Sequence, residues 1–334
     1  MPRDAFLGLS ADDRRQALGV AAAASGRPAY LLEKDVWVVW ALNALFSTSF
    51  GESLVFKGGT SLSKAYKVIH RFSEDVDLTY DIRALLPGIP SDARPKTRSQ
   101  ARKWTDKARE RLPIWVSEAV MPTLAERLAD EGLSASLRQL GGDVYIDYES
   151  QTDAPEYMKS WVKLEFGARS TGAPSQAQAV TCDAAEYLQQ VEFPTARPRV
   201  MKAERTFWEK ATAIHVFCSN GRLSAERYAR HWHDIVRLDD AGIASSALAD
   251  PALAKSVAEH KDMFFPEKDA EGSPVDYLSA VTGAIRLVPD GESMARLGND
   301  YVAMVDAGLL LDDAPSFEQL MSRCAALESR LNAL

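Results

Sequence analysis

Cysteine is scarce: Cys182, Cys218 and Cys324 are an odd number in 334 residues and lie far apart. They make neither a disulfide framework nor a CxxC metal knuckle, so the expectation is a reduced, cytoplasmic protein. No stretch approaches the roughly 18 consecutive apolar residues of a membrane span. The early apolar run Ala17–Ala24 is short and follows Asp12-Asp13-Arg14-Arg15, which is unlike a secretory leader. Ser-His-Asp orders, Cys-His pairs and GxxxxGK[ST] runs are also missing, which removes triad hydrolases and P-loop NTPases. His231 and His233 are two apart on an expected helix and point to different sides, so they do not make a zinc pair. Positive charge is in deficit: 39 Lys and Arg against 47 Asp and Glu leave a net charge of −8. A general nucleic-acid coat is excluded, and any contact with nucleic acid must come from a local patch.

What is present is an ordinary globular balance, 46% hydrophobic and 26% charged. Ser10 to Asp13 reads as a capping box opening a helix, and Glu33 to Leu45 as a second helix. Ser53 to Lys57 is a short β-type run that Gly58-Gly59 breaks. Ser61 to Arg71 then carries Leu62, Ala65, Tyr66 and Ile69 at helical spacing, and Val76 to Tyr80 returns as a strand. Val144 to Tyr148 and Trp161 to Phe166 alternate as further strands, with Trp161, Lys163 and Glu165 on one face. Pro194 and Pro198 mark a connector before helices over Met201–Cys218 and Arg222–Leu238, and an Ala-rich helical pattern continues to Leu334. The expected fold is therefore α/β (α+β): a small mixed sheet with N-terminal helices over 1–198, and a mainly helical domain over 199–334.

Between Arg94 and Arg111 eight basic residues face only Asp106 and Glu110, a local charge of +6 that leaves the rest of the chain at −14. Such a segment is commonly just a solvated face. With its single Trp104 it would equally suit an RNA backbone track with one stacking aromatic.

A strand, a Gly-Gly-Thr-Ser turn, a helix and then Asp-Val-Asp on the next strand form an arrangement suited to phosphoryl transfer. Residues i and i+2 of a strand share a face, so Asp75 and Asp77 can jointly hold Mg²⁺ or Mn²⁺ while Val76 points inward. The turn at Gly58, Gly59, Thr60 and Ser61 offers backbone N–H groups, close approach and two hydroxyls to a phosphate. Paired metals can activate an attacking hydroxyl and stabilise a leaving pyrophosphate, which is the chemistry of nucleotidyl transfer. A third carboxylate is wanted, and Glu165, facing the same way as Lys163, is the candidate.

Phe56-Lys-Gly-Gly-Thr-Ser-Leu-Ser-Lys64 followed by Arg71-Phe-Ser-Glu-Asp-Val-Asp-Leu78 resembles the DNA polymerase β-type nucleotidyltransferase superfamily. With Glu33-Lys-Asp-Val-Trp37 upstream and Arg205-Thr-Phe-Trp-Glu-Lys210 and Arg230-His-Trp-His-Asp234 downstream, the chain is similar to the AbiEii/AbiGii toxins, the group that includes MenT. The likeness runs from about Leu32 to Leu238 and lies in the joint order of four motifs. It implies an NTP-dependent nucleotidyltransferase toxin that modifies tRNA 3′ ends, blocks aminoacylation and is opposed by a separately encoded antitoxin. It implies that Lys57, Gly58, Gly59, Thr60, Ser61, Lys64, Arg71 and Ser73 surround the nucleotide, that Asp75 and Asp77 are catalytic metal ligands, and that Lys210 and Asp234 of the helical domain complete the site. Lys34, Asp35, Lys163 and Glu209 stand in or beside the same motifs. The 14 residues between Thr60 and Asp75 exceed the usual gap, which a long helix would explain.

Plainer readings compete. Asp75 and Asp77 could be a solvated strand edge, and paired glycines commonly only punctuate a turn. Arg230 at i−4 and Arg237 at i+3 would explain Asp234 as part of a surface ion-pair ladder. Lys34 and Asp35 could be exposed helix residues. Lys210 borders an apolar helix face, where an anion is the favoured reason for a lysine. For the chain as a whole, a protein or small-molecule acceptor, or a catalytically silent NTP- or RNA-binding scaffold, are the other expectations.

Overall fold

In a computed structural model, residues 4–71, 73, 75–153, 159–222, 228–310 and 314–333 are described. The chain forms two compact units, one of residues 1–65, 73–93 and 106–201, the other of 66–72, 94–105 and 202–334.

The first unit is built on a seven-stranded mixed sheet. Its strands are β1 (Leu54–Lys57), β2 (Asp75–Tyr80), β3 (Ala135–Leu140), β4 (Asp143–Tyr148), β5 (Trp161–Gly167), β6 (Ser175–Ala177) and β7 (Arg199–Met201), in the order β3-β4-β5-β2-β1-β7-β6. β2 pairs antiparallel with β1 and parallel with β5, which makes it a central strand. Strict alternation gives this sheet one apolar face: Val76, Leu78 and Tyr80 of β2, Val162, Leu164 and Phe166 of β5, and Val144, Ile146 and Tyr148 of β4 are all buried. Helix α1 (Ala11–Ser25) starts at Ser10, whose side chain accepts from the Asp13 N–H. Helix α2 (Ala29–Phe46) is apolar nearly all round and correspondingly buried; its Trp37 stacks on Tyr148 of the apolar sheet face with ring centres 5.2 Å apart.

Helix α3 departs from expectation. It spans only Gly58–Lys64, and Lys67 adopts a φ of +54°, in the left-handed region that ends a helix. Residues 65–71 are thus non-helical, with 66–72 belonging to the second unit.

The second unit is helical. It contains α4 (Ala203–Asn220), which ends at Gly221 with φ +68°, α5 (Arg230–Asp240), α6 (Pro251–Phe264), α7 (Gly291–Asp306) and α8 (Phe317–Leu331). The helix expected from Arg222 starts at Arg230, and residues 223–227 of that expectation lie outside the described residues. Phe207, Trp208, Ile214 and Phe217 of α4 and Trp232 and Ile235 of α5 are buried in its core, where the Phe217 and Trp232 rings meet edge-on at 5.2 Å and Trp232 Nε1 donates to the Leu287 carbonyl at 2.7 Å. All three cysteines are buried free thiols. Among the described residues, no helix is long and apolar enough to cross a membrane.

Candidate active site

The sheet face opposite the core is polar, and its register brings the expected groups into rows. Asp77 lies opposite Lys57 on one side and Glu165 on the other, and Asp75 lies opposite Lys163. Asp75 and Asp77 share this face and are half-buried, whereas Val76 between them is fully buried. Gly58, where β1 turns into α3, has a φ of +75°, and a Cβ there would overlap the Asp77 carboxylate. That glycine is therefore required twice, by its backbone conformation and by the space that Asp77 occupies.

The turn hydroxyls point elsewhere than expected. Thr60 Oγ1 donates to the main-chain carbonyl of Asp75, and Ser61 Oγ donates to the Gly58 carbonyl at 2.9 Å. A hydroxyl carries one proton, so neither has one left for a phosphate oxygen. Lys64, at the far end of α3, is likewise engaged: its buried Nζ lies 2.6 Å from Asp35 and 2.6 Å from Asp183, which also pairs with Arg27. Asp35 in turn accepts the Asp183 N–H at 2.7 Å. Burial alone would lower the Lys64 pKa, but the two carboxylates hold it above the ordinary lysine value. Burial raises Asp35, which Lys64 only partly offsets.

Glu165 is not gathered with the Asp pair into a metal cluster. Lys163 Nζ lies 2.8 Å from Glu165 and 3.1 Å from Asp143, and these acids keep it charged against partial burial. Among the described residues, no three His, Cys, Asp or Glu side chains are placed to hold a metal ion together. Two hard carboxylates beside a cradle that a Cβ would fill do fit a divalent cation of the Mg²⁺ class, which uses one or two protein carboxylates and takes its other oxygens from water and phosphate.

Lys34 and Asp35 are not the exposed pair of the plainer reading. Lys34 is 2% exposed with its Nζ 5.3 Å from the Trp161 ring centre. Their neighbour Glu33, whose role the sequence did not reveal, accepts from Ser150 Oγ, Thr152 Oγ1 and the Gln151 N–H, each at 2.7 Å.

In the second unit, Arg71, Lys210 and Asp234 form one buried cluster. Arg71 Nε and Nη2 donate to the two oxygens of Asp234 at 2.6 and 2.9 Å, and Lys210 Nζ lies 2.8 Å from Asp234 Oδ2. Asp234 is fully buried, so the surface ladder with Arg230 and Arg237 is not its environment. Burial would raise its pKa, yet Arg71 and Lys210 hold the carboxyl well below its usual range. A carboxylate so held is a poor proton acceptor and a good anchor for Lys210. Burial pushes Lys210 below the ordinary lysine pKa, with Asp234 opposing. Glu209 accepts from Arg205 Nε, one turn earlier on the same helix, at 3.0 Å. Ser73 is half-buried in the first unit.

The basic segment is partly neutralised. Arg94 lies 3.6 Å from Glu259, Arg98 lies 2.6 Å from Asp262, and Trp104 packs near Phe264. Arg102, Lys103, Lys107, Arg109 and Arg111 are exposed.

Residues 40–323 match the family described as "Nucleotidyl transferase AbiEii toxin, Type IV TA system". The chain belongs to the AbiEii family. It is a nucleotidyltransferase of the toxin–antitoxin class, with an NTP as substrate and an antitoxin as its genetic counterpart. No curated protein matches it. Two solved structures match over most of the chain. One is MenT4, a nucleotidyltransferase toxin from Mycobacterium tuberculosis H37Rv, at 17% identity over 98% of this chain and 99% of that one, with a TM-score of 0.38. The other is JHP933 from Helicobacter pylori, at 15% identity over 88% of each chain, with a TM-score of 0.40.

Proposed function

We propose that this AbiEii-family enzyme is a cytoplasmic toxin that transfers a nucleoside monophosphate from an NTP to an RNA 3′ end, most simply that of tRNA, in a Mg²⁺- or Mn²⁺-dependent reaction. The observation that carries the reading is Asp75 and Asp77 on one face of a central strand, with Asp77 filling the space that Gly58 leaves open. Asp75 and Asp77 hold the cation, which when bound supplies Lewis-acid charge against the phosphates. The backbone of Gly58 and Gly59 lets the phosphate chain approach closely. Lys57, beside Asp77 in register, and Lys210, oriented by Asp234, are the cations proposed to meet phosphate charge in their respective units. The acceptor hydroxyl oxygen bonds to the α-phosphorus, the α–β anhydride bond breaks, pyrophosphate leaves and the hydroxyl proton passes to solvent. Modification of the tRNA end would block aminoacylation and so translation, which is the toxic effect that the antitoxin opposes.

The test incubates purified protein with Mg²⁺, total tRNA and each α-labelled NTP in turn, beside Asp77→Ala, and reads label on a denaturing gel. Label on tRNA from one NTP, lost in the variant, is expected. Absence of label from all four, or an unchanged rate in Asp77→Ala, overturns the reading.

A further inference from the structure

The ladder between β1 and β2 runs from Leu54↔Tyr80 to Lys57↔Asp77 and stops there, because the chain turns into α3 at Gly58. Asp75 therefore starts its strand two residues beyond the end of β1, with strand pairing to β5 alone through Lys163. Its carbonyl accepts from Thr60 Oγ1, a side chain 2% exposed, 15 residues earlier. One hydroxyl thus continues the β1 side of the ladder past the point where β1 ends. The bond joins the turn to the strand that carries both metal-facing carboxylates.

We propose that Thr60 is a positioning residue for the Asp75–Asp77 pair rather than a phosphate ligand; the proposal rests on the function above. Its methyl is buried and its only proton is committed, so its effect on the reaction runs through Asp75. Loss of the bond removes the side-chain tie between the turn and the start of β2. The backbone there then relaxes, and Asp75 loses its register with Asp77 on the polar face. A phosphate ligand would instead show itself in nucleotide affinity.

Thr60→Val keeps the shape and removes the donor, whereas Thr60→Ser keeps the donor. The expected result is a kcat for Thr60→Val lowered about tenfold or more with the KM for NTP held within about twofold, and recovery of kcat in Thr60→Ser. Mn²⁺ binding to the NTP-free proteins, read by electron paramagnetic resonance, should weaken in Thr60→Val and not in Thr60→Ser, with thermal melts checking that both are folded. A raised KM with unchanged kcat and unchanged Mn²⁺ affinity overturns the proposal. If the wild type labels no acceptor, the function has failed, and the Mn²⁺ affinities alone then decide the role of Thr60. Should Thr60→Val not fold, Thr60→Ala is compared with Thr60→Ser by the same two readouts.

Discussion

Arg71 and Asp234, 163 residues apart, meet in a two-pronged ion pair at 2.6 and 2.9 Å, and Lys210 reaches the same carboxylate at 2.8 Å. Two buried cations thus share one buried anion. Asp234→Ala leaves both cations without it and is expected to cost about 3–5 kcal/mol in urea unfolding. Arg71→Lys cannot reproduce the fork and should cost less but measurably. A loss under about 1 kcal/mol for Asp234→Ala would contradict the buried cluster.

Gly58 tests the carboxylate cradle from the other side. Gly58→Ala forces a Cβ onto a backbone at φ +75° and into the Asp77 carboxylate. Strain costs on the order of 1 kcal/mol of stability, and displacement of Asp77 should lower transfer about a hundredfold. Gly132→Ala, also at positive φ (+63°) but with nothing near the added carbon, is the control: comparable strain, unchanged transfer. Equal activity losses in the two would remove Asp77 from the explanation.

Much of the site was legible because it is local. Alternation along Val76–Tyr80 and Trp161–Phe166 correctly put Asp75, Asp77, Lys163 and Glu165 on one sheet face, and the glycine turn stood where a strand had to reverse. Long-range pairing was not legible. Asp234 was placed with Lys210, which it does meet, and its plainer reading was a ladder with Arg230 and Arg237; its second partner, Arg71, lies in a distant segment. Glu33 was silent for the same reason, since its partners are 117 to 119 residues away. The helix expected through Arg71 had correct periodicity in Leu62, Ala65, Tyr66 and Ile69, but tertiary placement of residues 66–72 with the second unit overrode local preference. The strands Ser175–Ala177 and Arg199–Met201, three residues each, are too short to show a period.

Lys64 was expected at the nucleotide and instead clamps α3 to Asp35 and Asp183. Lys64→Met is predicted to destabilise by more than Asp35→Asn, and the double variant by less than their sum, with a coupling of about 1–3 kcal/mol. In variants that stay folded, the KM for NTP should not move. Additive losses, or a KM increase of about tenfold, would return Lys64 to the nucleotide.

Stability should also fall with mild acid. His215 is buried, which lowers its pKa to about 4, Arg286 adding to the effect, and its Nδ1 accepts the Arg286 N–H at 3.1 Å. The folded protein thus holds this ring neutral where the unfolded chain would protonate it, so stability is full above about pH 6.5 and declines as pH falls towards 4. His231, lowered well below the ordinary value by burial with Lys210 and Arg230 adding, acts in the same direction. From pH 7.5 to 5.0 the His215 contribution is about 2 kcal/mol, visible as a flatter urea-stability profile in His215→Gln. Parallel profiles would exclude His215.

The basic segment separates a solvated face from an RNA track by its salt dependence. Arg94 and Arg98 have acidic partners and Trp104 packs near Phe264, so these three are expected to govern stability more than binding. Arg102, Lys103, Lys107, Arg109 and Arg111 are exposed, and among the described residues only Arg109 of these five forms an ion pair, with Asp106 at 3.6 Å. If they meet phosphates, changing Arg102, Lys103 and Lys107 to Ser should weaken tRNA binding and reduce the slope of log K against log salt by about 2 to 3, one per lost phosphate contact. NTP affinity should stay the same, because the loss is confined to the polyanion. An unchanged salt slope in the triple variant would show that the +6 segment only solvates its helix and that the acceptor is held elsewhere.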